Sequence, residues 1–268
     1  MQFHEWKFQE VQYGIVGHCN LMCRGCSHMT PLQPEYFVPV GEFRTNLGIL
    51  LKALPNLDEL SLTGGETLLH PELDNLMKIV KELAPKTRLE IITNGVLIPK
   101  VSANFWDMVD KLYISCYPSQ KTPDIPKSDR KIEVIYRTTG SFFESCSIRK
   151  NPNEKMVDYL WNHCWLRRGC VIVFGNYFFQ CARSAYMAKV LATEDTDGIP
   201  MQELTEERLI EFFKRKPPLD MCSFCTGAKG LYFSHAQVPN KVAWKGAQDR
   251  DLRAMIEIEV VHECEDGK

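Results

Sequence analysis

The stretch HCNLMCRGCSH, residues 18–28, sets Cys19, Cys23 and Cys26 on one short loop, with three and then two residues between them. Three thiols are one short of a closed tetrahedral zinc site. They are also too tightly grouped to be incidental core cysteines, which stand singly. Three thiolates can instead hold three irons of a 4Fe–4S cube and leave the fourth iron open to an exogenous ligand.

Composition narrows the setting. The chain has 268 residues, 44% of them hydrophobic, enough for one large domain or a medium one with a small companion. Its 32 basic and 34 acidic residues give a net charge of −2 without long runs of either sign, which argues against a nucleic-acid or anionic-membrane surface. The opening MQFHEWKFQE lacks the apolar core of a secretory signal, and no apolar run approaches the ~20 residues of a membrane span. A cytoplasmic protein is expected. In a reducing compartment its eleven cysteines point to metal or redox chemistry rather than a disulfide framework. They fall into two groups: the loop trio, then Cys164, Cys170, Cys181, Cys222 and Cys225. Cys116, Cys146 and Cys264 stand alone, as small buried hydrophobes do.

Around the first group, strand-like segments (10–16, 59–63, 88–93, 111–116 and 131–136) alternate with helical patterns at 40–54, 70–84 and 103–110, the signature of a parallel α/β fold. Glu59, Ser61 and Thr63 share one strand face and Leu60 and Leu62 the other. A parallel strand covered on both sides reads as continuously apolar. The polar face therefore suggests a barrel interior that takes a ligand, or else edge strands facing solvent. From residue 151 the pattern changes: a helix over 151–165, a Gly-punctuated aromatic hairpin (171–181), a loop TEDTDGIP (193–200), a helix over 203–216 stopped by Pro217 and Pro218, then DMCSFCTG. A boundary near 150 is expected.

CNLMCRGC matches the CxxxCxxC pattern of the radical S-adenosylmethionine (SAM) enzymes and follows the first strand, as in that family. LTGGETLLHPEL (62–73), IITNG (91–95) and YISCYPS (113–119) resemble the family's segments at the ends of the second, third and fourth strands, in order and spacing. The resemblance implies a partial (β/α)6 TIM-type barrel as the radical SAM core over residues 1–150. It also implies that Cys19, Cys23 and Cys26 bind the 4Fe–4S cluster, whose open iron takes the amine and carboxylate of SAM. Gly64, Gly65 and Glu66 would meet the methionyl amine, with the glycines leaving room for its approach. Asn94 and Ser115 would contact SAM, and Arg137 would pair with its carboxylate. The residue before the third cysteine is often aromatic in the family and packs beside adenine; here it is Gly25. His18 and His28 flank the loop, with hydrogen-bonding roles expected.

Residues 151–268 resemble the SPASM/twitch extensions, a small α+β module with an auxiliary 4Fe–4S cluster. Zinc is the competing reading of a CxxC with distant partners. Cys181, Cys222 and Cys225 are the expected ligands, with Cys170 preferred to Cys164 as the fourth. Whichever of those two is spare is a candidate hydrogen-atom donor, with Cys146 a further option. Alternation turns Cys116 away from Ser115. The expected activity is hydrogen abstraction from a small polar substrate (a sugar, aminocyclitol or nucleoside-like compound), giving dehydrogenation or epimerisation. The expected partner is an electron donor such as flavodoxin or ferredoxin. Maturation of a ribosomally made peptide is the rival, disfavoured here because no N-terminal recognition extension is expected. A non-catalytic iron–sulfur or zinc protein is a more distant one.

Overall fold

A computed structural model describes residues 9–118, 120–126, 130–138, 140–191 and 197–256; Cys264 and the start of the 193–200 segment lie outside them. The first half alternates β1 (Glu10–Val16), α1 (Val40–Ala53), β2 (Glu59–Gly64), α2 (Leu73–Leu83), β3 (Arg88–Thr93), α3 (Ala103–Met108), β4 (Lys111–Cys116) and β5 (Glu133–Thr138). All five strands run parallel, with Glu10 opposite Glu59, Glu59 opposite Arg88, Glu90 opposite Lys111 and Lys111 opposite Glu133.

One face of these strands is apolar and buries itself under the helices. Leu60, Leu62, Leu89, Ile91, Leu112 and Ile114 share a core with Leu47 and Leu50 of α1, Leu76 and Val80 of α2, and Phe105 of α3. Because α2 repeats its apolar residues at helical spacing, Leu73, Leu76, Met77, Ile79 and Val80 all point inward. Ser102 starts α3 by accepting a hydrogen bond from Phe105 N.

The other face is polar, as the alternation required. At the N-terminal ends of the strands, however, it is not a ligand surface. Lys111 Nζ lies 2.8 Å from Glu59 Oε1 and 3.0 Å from Glu90 Oε1, and Ser61 Oγ donates to Glu90 Oε2. Glu59 and Glu90 are buried, so these charges depend on one another. Towards the C-terminal ends, Tyr113, Ser115 and Arg137 occupy the same face.

The second half contains β6 (Ser141–Phe143), α4 (Glu154–Asn162), β7 (Ile172–Phe174), β8 (Tyr177–Phe179), α5 (Ala182–Leu191), β9 (Gly198–Pro200), α6 (Glu206–Phe213), β10 (Tyr232–Ser234) and α7 (Lys241–Gln248). Asn153 and Thr205 cap α4 and α6, so both helices are shorter than the sequence pattern suggested. The hairpin β7–β8 does not stand apart: β7 adds to β1 in parallel, Gln12 opposite Ile172. The result is an open eight-stranded sheet in the order β5-β4-β3-β2-β1-β7-β8-β9, with no closed barrel among the described residues. Residues 198–200, expected as loop, form β9 because the free edge of β8 recruits them (Tyr177 opposite Pro200). β6 and β10, which the sequence pattern did not reveal, pair antiparallel. Among the described residues no helix is long and apolar enough to cross a membrane.

Replacing Lys111 by Met strands buried Glu90, leaves Glu59 only the more distant Arg88, and is expected to cost about 2–4 kcal/mol in urea unfolding. The exposed Arg44–Glu82 pair supplies the control: Arg44→Ala is expected to leave the urea midpoint unchanged.

Candidate functional site

The cysteine loop leaves the C-terminal end of β1 and folds back over the end of β2. Gly65 N donates to Val16 O at 2.9 Å, and Glu66 N donates to His18 O at 3.0 Å. A Cβ on Gly64 would overlap the Val16 carbonyl oxygen, and one on Gly65 would overlap the carbonyl of His18. The two glycines are therefore fixed by the loop's own backbone, whereas the sequence reading assigned them to the approach of a ligand.

Glu66 is only 1% exposed. Its Oε1 accepts from Leu68 N (3.0 Å) and Thr93 Oγ (2.6 Å), and its Oε2 accepts from Asn94 N (2.8 Å). Burial raises its pKa, against the three donors that lower it. Asn94 in turn gives its amide to Asn20 Oδ1 at 2.7 Å and to Cys19 Sγ at 3.7 Å, while its Oδ1 accepts from Val96 N. Glu66 and Asn94 thus lock the ends of β2 and β3 to the cysteine loop. Asn94 has little hydrogen-bonding capacity left for a ligand, whereas a carboxylate with about four acceptor sites retains one at Glu66.

The three thiols are free and meet donors rather than one another. Leu21 N points to Cys19 Sγ at 3.4 Å, Thr30 Oγ lies 3.4 Å from Cys26 Sγ, and His235 Nε2 lies 3.4 Å from Cys23 Sγ. N–H groups aimed at sulfur suit thiolates bound to iron. Burial raises the Cys19 thiol and pushes Cys23 up to about 12. His28 Nδ1 donates to Gly64 O (3.1 Å), and the ring stacks on Tyr186 at 4.1 Å; burial lowers its pKa to about 4, so the ring is neutral at neutral pH. His18 packs edge-on against Phe37. The hydrogen-bonding part expected of both falls to His28; His18 Nδ1 is buried without a partner among the described residues.

Ser115 and Arg137 are cross-strand neighbours at the mouth of the polar face. Arg137 Nη1 donates to Tyr113 OH at 3.0 Å. Tyr117, buried beside the three thiols, stacks on His235 at 4.6 Å and 10°. Gly25 adopts φ +69, and the Phe233 ring sits 2.6 Å from where its Cβ would be, with Arg24 over that ring at 4.6 Å. The aromatic group absent at position 25 is thus supplied by β10, more than two hundred residues on in the chain. Cys116 packs on the helix side, away from Ser115.

The second half clamps the loop. Ala236 O accepts from Arg24 N, Met22 O from Val238 N, and Cys23 O from Trp244 Nε1 at 3.0 Å. Ser145 Oγ donates to Gly25 O at 3.1 Å, while Ser145 O accepts from Cys225 Sγ at 3.4 Å. Sequence patterns flagged neither Ser145, Trp244, His235 nor Arg183, because each acts through tertiary contact rather than local spacing.

Cys164, Cys181, Cys222 and Cys225 line one small cavity of about 30 Å3, with Leu160, Trp161 and Leu219 as apolar walls. Cys164 lines this cavity, whereas Cys170, preferred from the sequence, is not among its lining residues. Cys170 bridges to Cys181 through the backbone and packs against the apolar cluster around α5. Cys225 Sγ receives Gly227 N at 3.3 Å and Arg183 Nη1 at 3.6 Å. Burial pushes Cys181 up to about 12 and Cys222 well above its ordinary value. Among the described residues no three His, Cys, Asp or Glu side chains converge on a single-ion position.

Residues 13–116 match the family model of the Radical SAM superfamily, and the chain carries a domain of that superfamily. The matched segment contains Cys19, Cys23, Cys26, Gly64, Gly65, Glu66, Asn94 and Ser115; Arg137 and the second cysteine group lie beyond it. The GTP 3′,8-cyclase of Nautilia profundicola is 26% identical over 145 residues, 54% of this chain and 45% of that protein. That of Sulfurimonas denitrificans is 28% identical over 210 residues, 72% of this chain and 60% of that protein. The chain thus spans about half the length of these curated relatives. Its fold resembles the crystal structure of BtrN in complex with AdoMet and 2-DOIA, with a TM-score of 0.51 and 16% identity, covering 83% of this chain and 94% of that one.

Gly65→Ala is expected to displace the cysteine loop and lower the urea midpoint, at a cost of about 1–3 kcal/mol. Gly48→Ala, in open space on α1, instead adds about 0.5–1 kcal/mol of stability. Because the ligating thiols must lose protons, loading iron into the apoprotein is expected to release about one proton per cysteine and to weaken as pH falls from about 8.5 to about 6.5. Proton release under weak buffering and bound iron at each pH check both.

Proposed function

We propose that this chain cleaves SAM and dehydrogenates a small polar substrate, such as a sugar, aminocyclitol or nucleoside-like compound, at a C–H carbon beside a heteroatom. The observation that carries the reading is the second cysteine-lined cavity, tied to the first loop through Ser145. Cys19, Cys23 and Cys26 would hold one 4Fe–4S cluster, and Cys164, Cys181, Cys222 and Cys225 another. When bound, the first supplies the electron that splits SAM into methionine and a 5′-deoxyadenosyl radical, and the second supplies an internal electron acceptor.

The chain's own residues position the reactants. Glu66 keeps one acceptor site for the methionyl amine, and Phe233 and Tyr117 wall the space above the loop for adenine. Arg137 and Ser115 stand at the mouth of the polar face, suited to a carboxylate or to a hydroxylated substrate. Among the described residues no thiol outside the two ligand sets faces that site: Cys116 packs on the helices, Cys146 is wholly buried and Cys170 lies in an apolar cluster. This favours dehydrogenation over epimerisation, which needs a hydrogen-atom donor. The relatives named as cyclases of GTP and the neighbour solved with 2-DOIA support a small-molecule substrate. A cytoplasmic setting and a flavodoxin or ferredoxin as reductant belong to the same reading. The exposed β5 edge of the sheet favours a second one, peptide maturation with the peptide added as a strand.

Iron and sulfide content decides the first point. The intact protein is expected to hold about eight irons, and Cys19/Cys23/Cys26→Ala about four. Cys164→Ala loses iron from the second site, and Cys170→Ala does not. Iron falling to none in the triple variant would remove the second cluster and with it the oxidative reading.

A further inference from the structure

Arg183, at the start of α5, is only 7% exposed. A buried guanidinium is costly unless an anion faces it. Among the described residues no carboxylate lies within ion-pair distance; the two arginines that share Glu144 are Arg24 and Arg250. Instead Nη1 donates to Gly227 O at 2.6 Å and to Cys225 Sγ at 3.6 Å, and the guanidinium lies over the Phe143 ring at 4.7 Å. Arg183 itself lines the cavity with Cys164, Cys181, Cys222 and Cys225. The thiols of Cys181 and Cys146 also act on it, and His28 lies within its reach. The anion this cation was buried to face is therefore on the cavity side.

We infer that Arg183 is the built-in counter-charge of the second cysteine site, holding its cluster at a raised reduction potential so that it takes up an electron readily. This rests on the reading of that site as an iron–sulfur centre. The physical argument is direct. A cube carried by four thiolates is a net anion and becomes more negative by one charge when it gains an electron. A fixed positive charge at the wall, in an apolar cavity where screening is weak, stabilises the reduced form more than the oxidised one. A hydrogen bond to a ligating sulfur acts in the same direction. Gly227 O accepts from the same Nη1 that reaches Cys225 Sγ, so the charge stays at the wall. The position also serves the first site: Tyr186, one helical turn on from Arg183, stacks on His28 of the cysteine loop.

The test uses the Cys19/Cys23/Cys26→Ala protein, in which only the second cluster contributes. Electron paramagnetic resonance is followed while the sample is poised electrochemically with dithionite and mediators, each electron from dithionite reducing one cluster. Arg183→Gln is expected to lower the reduced-to-oxidised ratio at a fixed potential about tenfold or more, a shift of about 59 mV. Arg183→Lys keeps the charge on a different stem and is expected to stay near the parent value. An unchanged potential in a loaded Arg183→Gln protein overturns the assignment. Equal falls in the Gln and Lys variants also overturn it, because charge is then not the cause. Should the Gln variant not fold, the Lys variant decides alone: a held potential supports the counter-charge, and a fall refutes it. Absence of iron from the parent triple variant is a different failure, that of the cluster reading itself, and takes this inference down with it.

Discussion

The site depends on one close approach, the backbone of the cysteine loop lying directly on the end of β2. The hydrogen bonds from Gly65 N to Val16 O and from Glu66 N to His18 O hold it there, and no residue with a Cβ fits at positions 64 and 65. Everything nearby is built on that contact. Glu66 can reach Thr93 and Asn94 only because the chain turns so tightly after the glycines, and Asn94 can then reach Cys19. A buried carboxylate that accepts three hydrogen bonds is a rigid bracket. Its ligand-facing capacity is what remains after the fold has used the rest.

The second half of the chain is the other wall of this site rather than an accessory to it. β7 extends the sheet at β1, the strand from which the cysteine loop departs. Gly14 on β1 is covered by Phe174 and Tyr186, so α5 seals the inner face on that side, while the face over β4 and β5 stays open. Trp244, Ser145 and His235 reach the loop from positions far along the chain. Met29, which closes the loop in a left-handed conformation (φ 48), is wholly buried beside Cys146 and Trp244. Strain of that kind persists only where the surroundings over-determine it, and here the second half supplies them.

The parallel core could be read from the sequence because its information is local. Alternation placed Leu60 and Leu62 opposite Ser61 and Thr63, spacing placed Leu73, Leu76 and Val80 on one helix face, and the cysteine spacing set three thiols on one loop. What could not be read depends on pairing at a distance. The three-residue strands β6, β9 and β10 exist only because an edge is there to receive them. The choice between Cys164 and Cys170 turns on which way a side chain leaves the hairpin, which five intervening residues do not determine. Phe233 over Gly25 was hidden for the same reason: a missing aromatic group can be noticed locally, but its replacement cannot. The polar strand face was read correctly as polar, yet Lys111, Glu59 and Glu90 spend it on one another.

Burial sets the chemistry of both cysteine groups in the same way. Desolvation raises Cys19, Cys23, Cys181 and Cys222, so without metal these thiols hold their protons. Iron must displace those protons, and the free energy of ligation then becomes free energy of folding for the segments that carry the ligands. Those segments also carry Ser145, Gly227 and the clamp on the cysteine loop. A metal bound at the second site would therefore stiffen the wall of the first. In this fold the two cysteine groups are coupled mechanically through Ser145 and α5, whatever electrons pass between them.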